Sequence, residues 1–510
     1  MEELQMSKKE LQDEKWDYII AHELFHHWFG DLVTCESWSN LPLNESFADF
    51  SEAEWIGHRY GKDEGDYHAM ISLENYFEEA EEEQKELIRF FYEDKEDMFD
   101  RHSYEKGGAV LRMLKTFLGD QAFYDGLSLY LKENAYQSVE IHDLRLALEK
   151  VTGEDLNWFF NQWFLNAGHP ILEVTERYEA DTLILDFQQT QDLESYPLFK
   201  IPLYIELYHD GEMDSYPVII NSLEEEIRIP FKGRPDLVII DGAQELVGEI
   251  NFDKSGDRWL FQIKNAQKMV ARFHAFEALT EIEDLEKMKE ALPIVLRDRS
   301  YRVITLGLDF LQAAPDYMSD STLLAIVKEL LHHRESEVRS GALYALMQFD
   351  ASAVRSEILS AVNDSSYAVQ GVALEGVLQL KDVSADEIFK PFLEETQLDV
   401  QLPTANYVNQ TGDPVYFDWY QIRLKTFRGG SLFYFLQYYA EYILLQDDDL
   451  KQRSVPLLKN IAINNNVAFT RYSAFQILFL LKDDIDVEEV LDEIKRKESD
   501  EELLEVYEKL

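Results

Sequence analysis

A chain of 510 residues with 46% apolar content has room for two to four domains with ample core. Its 99 acids against 48 bases leave a formal charge of −51, a field that repels phosphate backbones and anionic lipid and argues against nucleic-acid or membrane partners. No run of about 18 apolar residues is present, so no transmembrane helix is expected, and the opening MEELQMSKKELQDEKW has no signal-peptide core.

The first chemistry-bearing stretch, AHELFHHWFGD from Ala21, holds three histidines within six residues. On a helix His22 and His26, four apart, project from one face and converge on one ion. His27 lies about 100° further round and cannot join them. Glu23 is also rotated away from the pair, which suits a group acting beside a metal. This is the H-E-x-x-H pattern of zinc hydrolases, two imidazole ligands and a general base. By itself the pattern arises by chance in a chain this long, and helical histidines are commonly surface or satisfied core residues. His27 reads as structural, and Trp28 and Phe29 read as core. Cys35 is the only cysteine, which excludes an internal disulfide, leaves the compartment open (cytoplasmic or exported) and reads as a small buried residue.

A zinc site needs a further protein ligand, with one position left for water. Eighteen residues, 27 to 44, separate His26 from Glu45. Leu43, Phe47, Phe50 and Trp55 recur at roughly helical spacing, so Glu45 is expected on a second helix packed against the first. An acid on an apolar helix face is costly unless paired or bound to metal. The alternative, a carboxylate solvated beside Asp49, fits the spacing less well. His22, His26 and Glu45 are thus expected to hold one Zn2+ per chain. Bound zinc lowers the pKa of a water to about 7, and Glu23 would take its proton and pass it to the leaving amine.

HELFHHWFGDLVT followed by WSNLPLNESFADF resembles the M1 (gluzincin) family of zinc aminopeptidases. That family places a glutamate, in an L-N-E context like Leu43-Asn44-Glu45, eighteen residues after H-E-x-x-H. It often has glycine next, where this chain has Ser46. RHSYEKGGAVLRML resembles the family's Y-x-K-G segment, 59 positions after Glu45. The resemblance implies that Tyr104 binds the oxyanion; the alternative is a tyrosine packed in a core. His102 beside it reads as structural. NQWFLNAGHP, residues 161 to 170, resembles the close of the family's catalytic domain. The likeness spans about the first 170 residues and implies a thermolysin-like helical catalytic domain acting on the N-terminal residues of peptides. The family's G-x-M-E-N segment, whose glutamate grips the substrate α-amine, does not precede His22 here, and neither does its β-rich amino-terminal domain. The expectation is an M1 enzyme lacking its front part, by truncation, gene splitting or a wrongly placed start, weak alone, and either self-associating or dependent on a separately encoded amino-terminal fragment. Two competing readings are a zinc-binding protein of weak activity acting through a solenoid as a partner-binding module, and an M1-like endopeptidase or epoxide hydrolase.

Residues 1–169 read as mainly helical, with Gly168 and Pro170 as stop signals. From Ile171 the period becomes two. ILEVTERY and TLILDFQQ alternate, and LFKIPLYIELYHDGEMDSYPVII places Asp210-Gly211 between strand-like runs, a hairpin signal. EEEIRIPF and DLVIID continue to about Asp253, so a small antiparallel β-sandwich is expected over 170–253. Over 254–510 the helical period returns with a loose repeat: DRSYRVITLGLDFL, RESEVRSGALYALM, DSSYAVQGVALEGVL and NNVAFTRYSAFQIL. Val303, Val338 and Val369 are spaced by 35 and 31 residues, which suits stacked helix pairs of a HEAT/armadillo-like α-solenoid. Within it 398–430 reads as an irregular insertion, marked by NQTGDP and RGG. Acidic runs at 74–86 and in the last 30 residues read as solvated helix faces. The charge as a whole fits a salt-adapted source.

Overall fold

The computed structural model describes residues 9, 13, 16–380 and 383–509, so most of the polar opening stretch lies outside the described residues. The chain forms two compact units, one of Lys15–Gly307 and one of Met1–Glu14 with Leu308–Leu510. It is mainly helical, with small sheets.

The first unit opens with seven helices: α1 (Asp17–Phe25), α2 (Pro42–Tyr60), α3 (Lys62–Ala80), α4 (Gly107–Leu118), α5 (Asp120–Glu133), α6 (Ile141–Thr152) and α7 (Asn157–Trp163). Proline in the first turn of α2 costs no helical hydrogen bond. The buried face of α2 carries Leu43, Phe47 and Phe50, as their spacing predicts. Trp55 instead stays 38% exposed and donates its Nε1–H to Asp17 at 2.7 Å, tying the start of α1 to α2. Two strands of three residues, β1 (Val33–Cys35) and β2 (Gln137–Val139), pair in parallel. They are too short to show an alternation in the sequence.

Seven more strands follow: β3 (Ile171–Glu179), β4 (Thr182–Gln189), β5 (Ile201–His209), β6 (Glu212–Ile220), β7 (Glu224–Pro230), β8 (Leu237–Ile240) and β9 (Glu249–Asn251). They form a four-stranded sheet, β7-β4-β3-β9, and a three-stranded sheet, β6-β5-β8. The expected hairpin is present: His209 pairs with Glu212 around Asp210 and Gly211, at φ 48° and 80°. Two successive positive φ values make a type I′ turn, whose twist matches that of the strands. The purely antiparallel expectation fails in one pair. β9 reaches β3 through a long connection and runs parallel to it, with Ile171 opposite Glu249. Side chains of both sheets, such as Leu172, Leu185, Ile205 and Ile220, share one core with Phe29, Phe47 and Phe160 of the helical part.

The remainder is helical. In the second unit the helices Ser336–Asp350, Tyr367–Gln379, Leu398–Thr411, Gly429–Leu444 and Ala468–Leu481 each pack on the next. Val338 and Val369 are buried, at 0% and 2% exposure. The expected irregular insertion over 398–430 is instead helical. Gly412 caps Leu398–Thr411 in the left-handed conformation, Asp413 caps the short turn Pro414–Tyr416, and Phe417–Thr426 comes next. The glycines and Pro414 that look like a loop are therefore punctuation between helices.

Candidate metal centre

The centre is built on the end of α1 and the start of α2. His22 lies within α1 and His26 is its C-cap, with ring centroids 5.0 Å apart. Directly after His26 the chain reverses. Gly30 takes φ 150°, and a Cβ there would lie 2.8 Å from the His26 carbonyl oxygen. Phe29, 2% exposed, stacks on Phe47 of α2 with centroids 4.0 Å apart, which fixes the end of α1 against the helix bearing Glu45. Trp28, expected in the core, is instead 43% exposed and continues the i, i+4 line of exposed Ile20 and Leu24. No residue of α1 is fully buried.

Glu45 Oε2 lies 3.6 Å from His22 Nε2 and 3.4 Å from His26 Nε2. One ligand atom from each of the three side chains falls within 4.8 Å of the others. The opposite ring nitrogens are engaged elsewhere. His22 Nδ1 lies 2.8 Å from Glu52 Oε1, and His26 Nδ1 lies 3.2 Å from the Phe29 carbonyl oxygen. A carboxylate and a carbonyl only accept, so each Nδ1 carries a proton, and the Nε2 atoms, which face Glu45, are the ones that would bind a metal on losing theirs. Two imidazole nitrogens and one carboxylate oxygen, with second partners on both rings, are the donor set a catalytic zinc takes. The residues fit the metal.

The charges agree. Burial alone would lower the His22 pKa, but hydrogen bonds with Glu45 and Glu52 overcome it and raise it to about 10. Burial opposes ionisation of Glu45, yet hydrogen bonds from His22 and His26 hold its carboxylate down at about 2. The pocket thus gathers negative charge around basic nitrogens, an arrangement that favours a bound cation. Glu52 itself bridges, taking His22 on one oxygen and His68 Nε2 on the other at 2.9 Å. Neither Glu52 nor His68 stands out in the sequence. Glu52 lies seven residues after Glu45, two turns along the same helix face, and that is its only signal.

Tyr104 sits on a single π turn, His102–Lys106, that leads into α4. Its ring stacks on that of His22, 6.0 Å away and 7° from parallel. Burial first, then the charge of Glu45 and a hydrogen bond to it, raise the Tyr104 pKa, so the phenol keeps its proton and remains a donor. Glu23 is exposed, and its charge acts on the same phenol. His27 is exposed beside Asp31. Cys35 is half-buried, and burial pushes its thiol pKa up. Glu79, Asp100 and His102 form a second cluster of ligand-type groups. His102 Nε2 accepts the Lys85 N–H at 3.1 Å and its Nδ1 is 2.9 Å from Glu79, so the ring has no lone pair free.

Residues 3–163 match the Peptidase family M1 domain. A leucyl aminopeptidase of Saccharolobus solfataricus is 26% identical over 416 residues, 74% of this chain and 50% of that protein. An aminopeptidase N of Streptomyces lividans is 34% identical over 186 residues, 35% of this chain and 22% of that protein. The chain therefore spans about half the length, or less, of these relatives. Among solved structures, aminopeptidase A of Legionella pneumophila, in complex with aspartic acid, aligns with a TM-score of 0.65 at 15% identity. That alignment covers 96% of this chain and 65% of the other, and shows a shared fold.

Proposed function

We propose that this chain, which carries a peptidase family M1 domain over residues 3–163, is a zinc metallopeptidase that removes N-terminal residues from peptides. The convergence of His22 Nε2, His26 Nε2 and Glu45 Oε2 carries this reading. Zinc at that point would supply an activated water and polarise the scissile carbonyl. Glu23, the carboxylate beside the ligand pair, takes the proton of the attacking water and returns it to the leaving amine. The Tyr104 hydroxyl donates to the oxygen on which negative charge develops, and losing one such donor costs about a hundredfold to a thousandfold in rate. In domain terms we read 1–169 as catalytic, 170–253 as the β-domain and 254–510 as a HEAT-like solenoid. The stacking of alternate helices in the second unit supports the last.

The test is elemental analysis joined to kinetics. Wild type should carry one zinc, His22→Ala, His26→Ala and Glu45→Ala should lose most of it, and Glu23→Gln should keep it without hydrolysing amino-acyl amides. Stoichiometric zinc in Glu45→Ala would overturn the ligand set. Cleavage of internally quenched peptides in preference to amino-acyl amides would make the enzyme an endopeptidase.

A further inference from the structure

We propose that Ser46 is a positioning residue for Tyr104, a role that rests on the reading of Tyr104 as the oxyanion donor. Ser46 follows Glu45 on α2 and is fully buried, at 0% exposure. Its hydroxyl donates to the Ser103 carbonyl at 2.7 Å. Ser103 is held at two further points. Its N–H donates to Asp100 Oδ1 at 3.0 Å, and its hydroxyl accepts from Arg89 Nη2 at 2.7 Å. Arg89 in turn grips Asp100, with Nη2 2.8 Å from Oδ1. All three polar groups of Ser103 are thus fixed, and the next residue is Tyr104.

The turn needs such a clamp. It bonds Lys106 N to Arg101 O at 3.0 Å, five residues back, where an α-helix would bond four back. Each residue added to or lost from a helical turn rotates the downstream chain by about 100°. Relaxing the π turn to α geometry would therefore swing Tyr104 off His22 and Glu45. Ser46 ties the helix that carries the ligand to the turn that carries the donor. The fit is reciprocal: a Cβ on Gly107 would lie 1.9 Å from the Ser46 hydroxyl oxygen, so serine at 46 requires glycine at 107. Without that hydroxyl the Ser103 carbonyl loses the bond that ties it to α2, and the turn is free to rearrange.

The test compares Ser46→Ala, Tyr104→Phe and the double variant, with zinc content and thermal stability measured on each. Ser46→Ala should retain zinc and lower kcat about tenfold at nearly unchanged KM, the scale of one hydrogen bond's worth of misalignment. In the Tyr104→Phe background the same change should have no further effect on kcat. Hydrogen exchange supplies a readout independent of activity: in the metal-free chain, Ser46→Ala should speed amide exchange across 102–108 and leave the middle of α2 unchanged. Unaltered exchange there overturns the proposal, whatever the activity shows. So does an equal kcat loss with and without the Tyr104 hydroxyl, or a kcat identical to wild type. Absence of zinc or turnover from wild type would instead tell against the peptidase reading, and the exchange experiment would still decide the role of Ser46.

Discussion

At the candidate centre, protons and a bound metal would compete for the same two nitrogens. With Glu45 and Glu52 at its ring, His22 keeps a proton up to about pH 10 in the metal-free chain. A group whose pKa is raised is fully protonated below that value, so zinc must displace the proton at neutral pH and its affinity rises with pH. Calorimetric titration of zinc at pH 7 in two buffers of different ionisation enthalpy should report at least one proton released per metal. A heat independent of buffer would reject ligation through His22. Glu52→Gln keeps an acceptor for His22 Nδ1 but removes the charge. It should release fewer protons and weaken zinc about 10- to 100-fold, as loss of such outer partners does. The candidate ligands His22 and His26 are legible in the sequence because residue type and a spacing of four place them on one helix face without any tertiary information. Glu52 is hidden among 99 acids, and His68 has no local signal because its partner stands on another helix.

Between elements, the approach of α4 to α2 decides whether Tyr104 can reach the candidate ligands at all. A Cβ on Gly108 would sit 1.9 Å from Asp49 Oδ2 and 3.1 Å from the Phe50 amide nitrogen. The Asp49 carboxylate would have to shift to admit it. Burial and the nearby charges of Glu52 and Glu105 push its pKa well above the usual carboxylate range. Gly108→Ala should therefore destabilise by about 1–3 kcal/mol, the range for overpacking a filled core, and lower turnover. Gly430→Ala, where nothing lies within 4 Å, should change stability by less than about 0.5 kcal/mol. Equal effects in urea titrations of the two variants would show that the helix approach carries no strain. The same packing explains why YEKGG is readable as a motif: its glycines are demanded by neighbours, not by the local turn. Strands β3 to β8 are legible because a period of two and an Asp-Gly turn are local signals. The parallel pairing of β9 is not, since it joins segments roughly 80 residues apart. Over 398–430 the chain misleads because glycine and proline mark helix ends as readily as loops, and Pro403 sits inside Leu398–Thr411.

Over the whole molecule, the balance between ion pairs and repulsion sets the response to salt. Many of the basic side chains are already committed: Arg112 to Asp66, Arg272 to Asp298, Arg339 to Asp364 and Arg471 to Glu498. Such pairs use up bases, and a net charge of −51 remains after all of them cancel. The surplus acids stand in water. Glu81 and Glu82 are exposed at the end of α3, and Glu501 and Glu502 face solvent on the last helix, Glu501–Lys509. Their mutual repulsion acts over distances that the pairs do not, and the screening length falls from about 10 Å at 0.1 M salt to about 3 Å at 1 M. Exposed pairs, each worth about 0–1 kcal/mol, lose far less by screening than two-to-one excess repulsion gains. Raising sodium chloride from about 0.1 M to 1 M should therefore increase the urea midpoint of unfolding at unchanged slope, since the surface exposed on unfolding stays the same. An equal concentration of a neutral osmolyte should stabilise less than the salt does. A midpoint that stays put or falls with added salt would mean that the paired arginines, and not the unpaired acids, dominate the field of this chain.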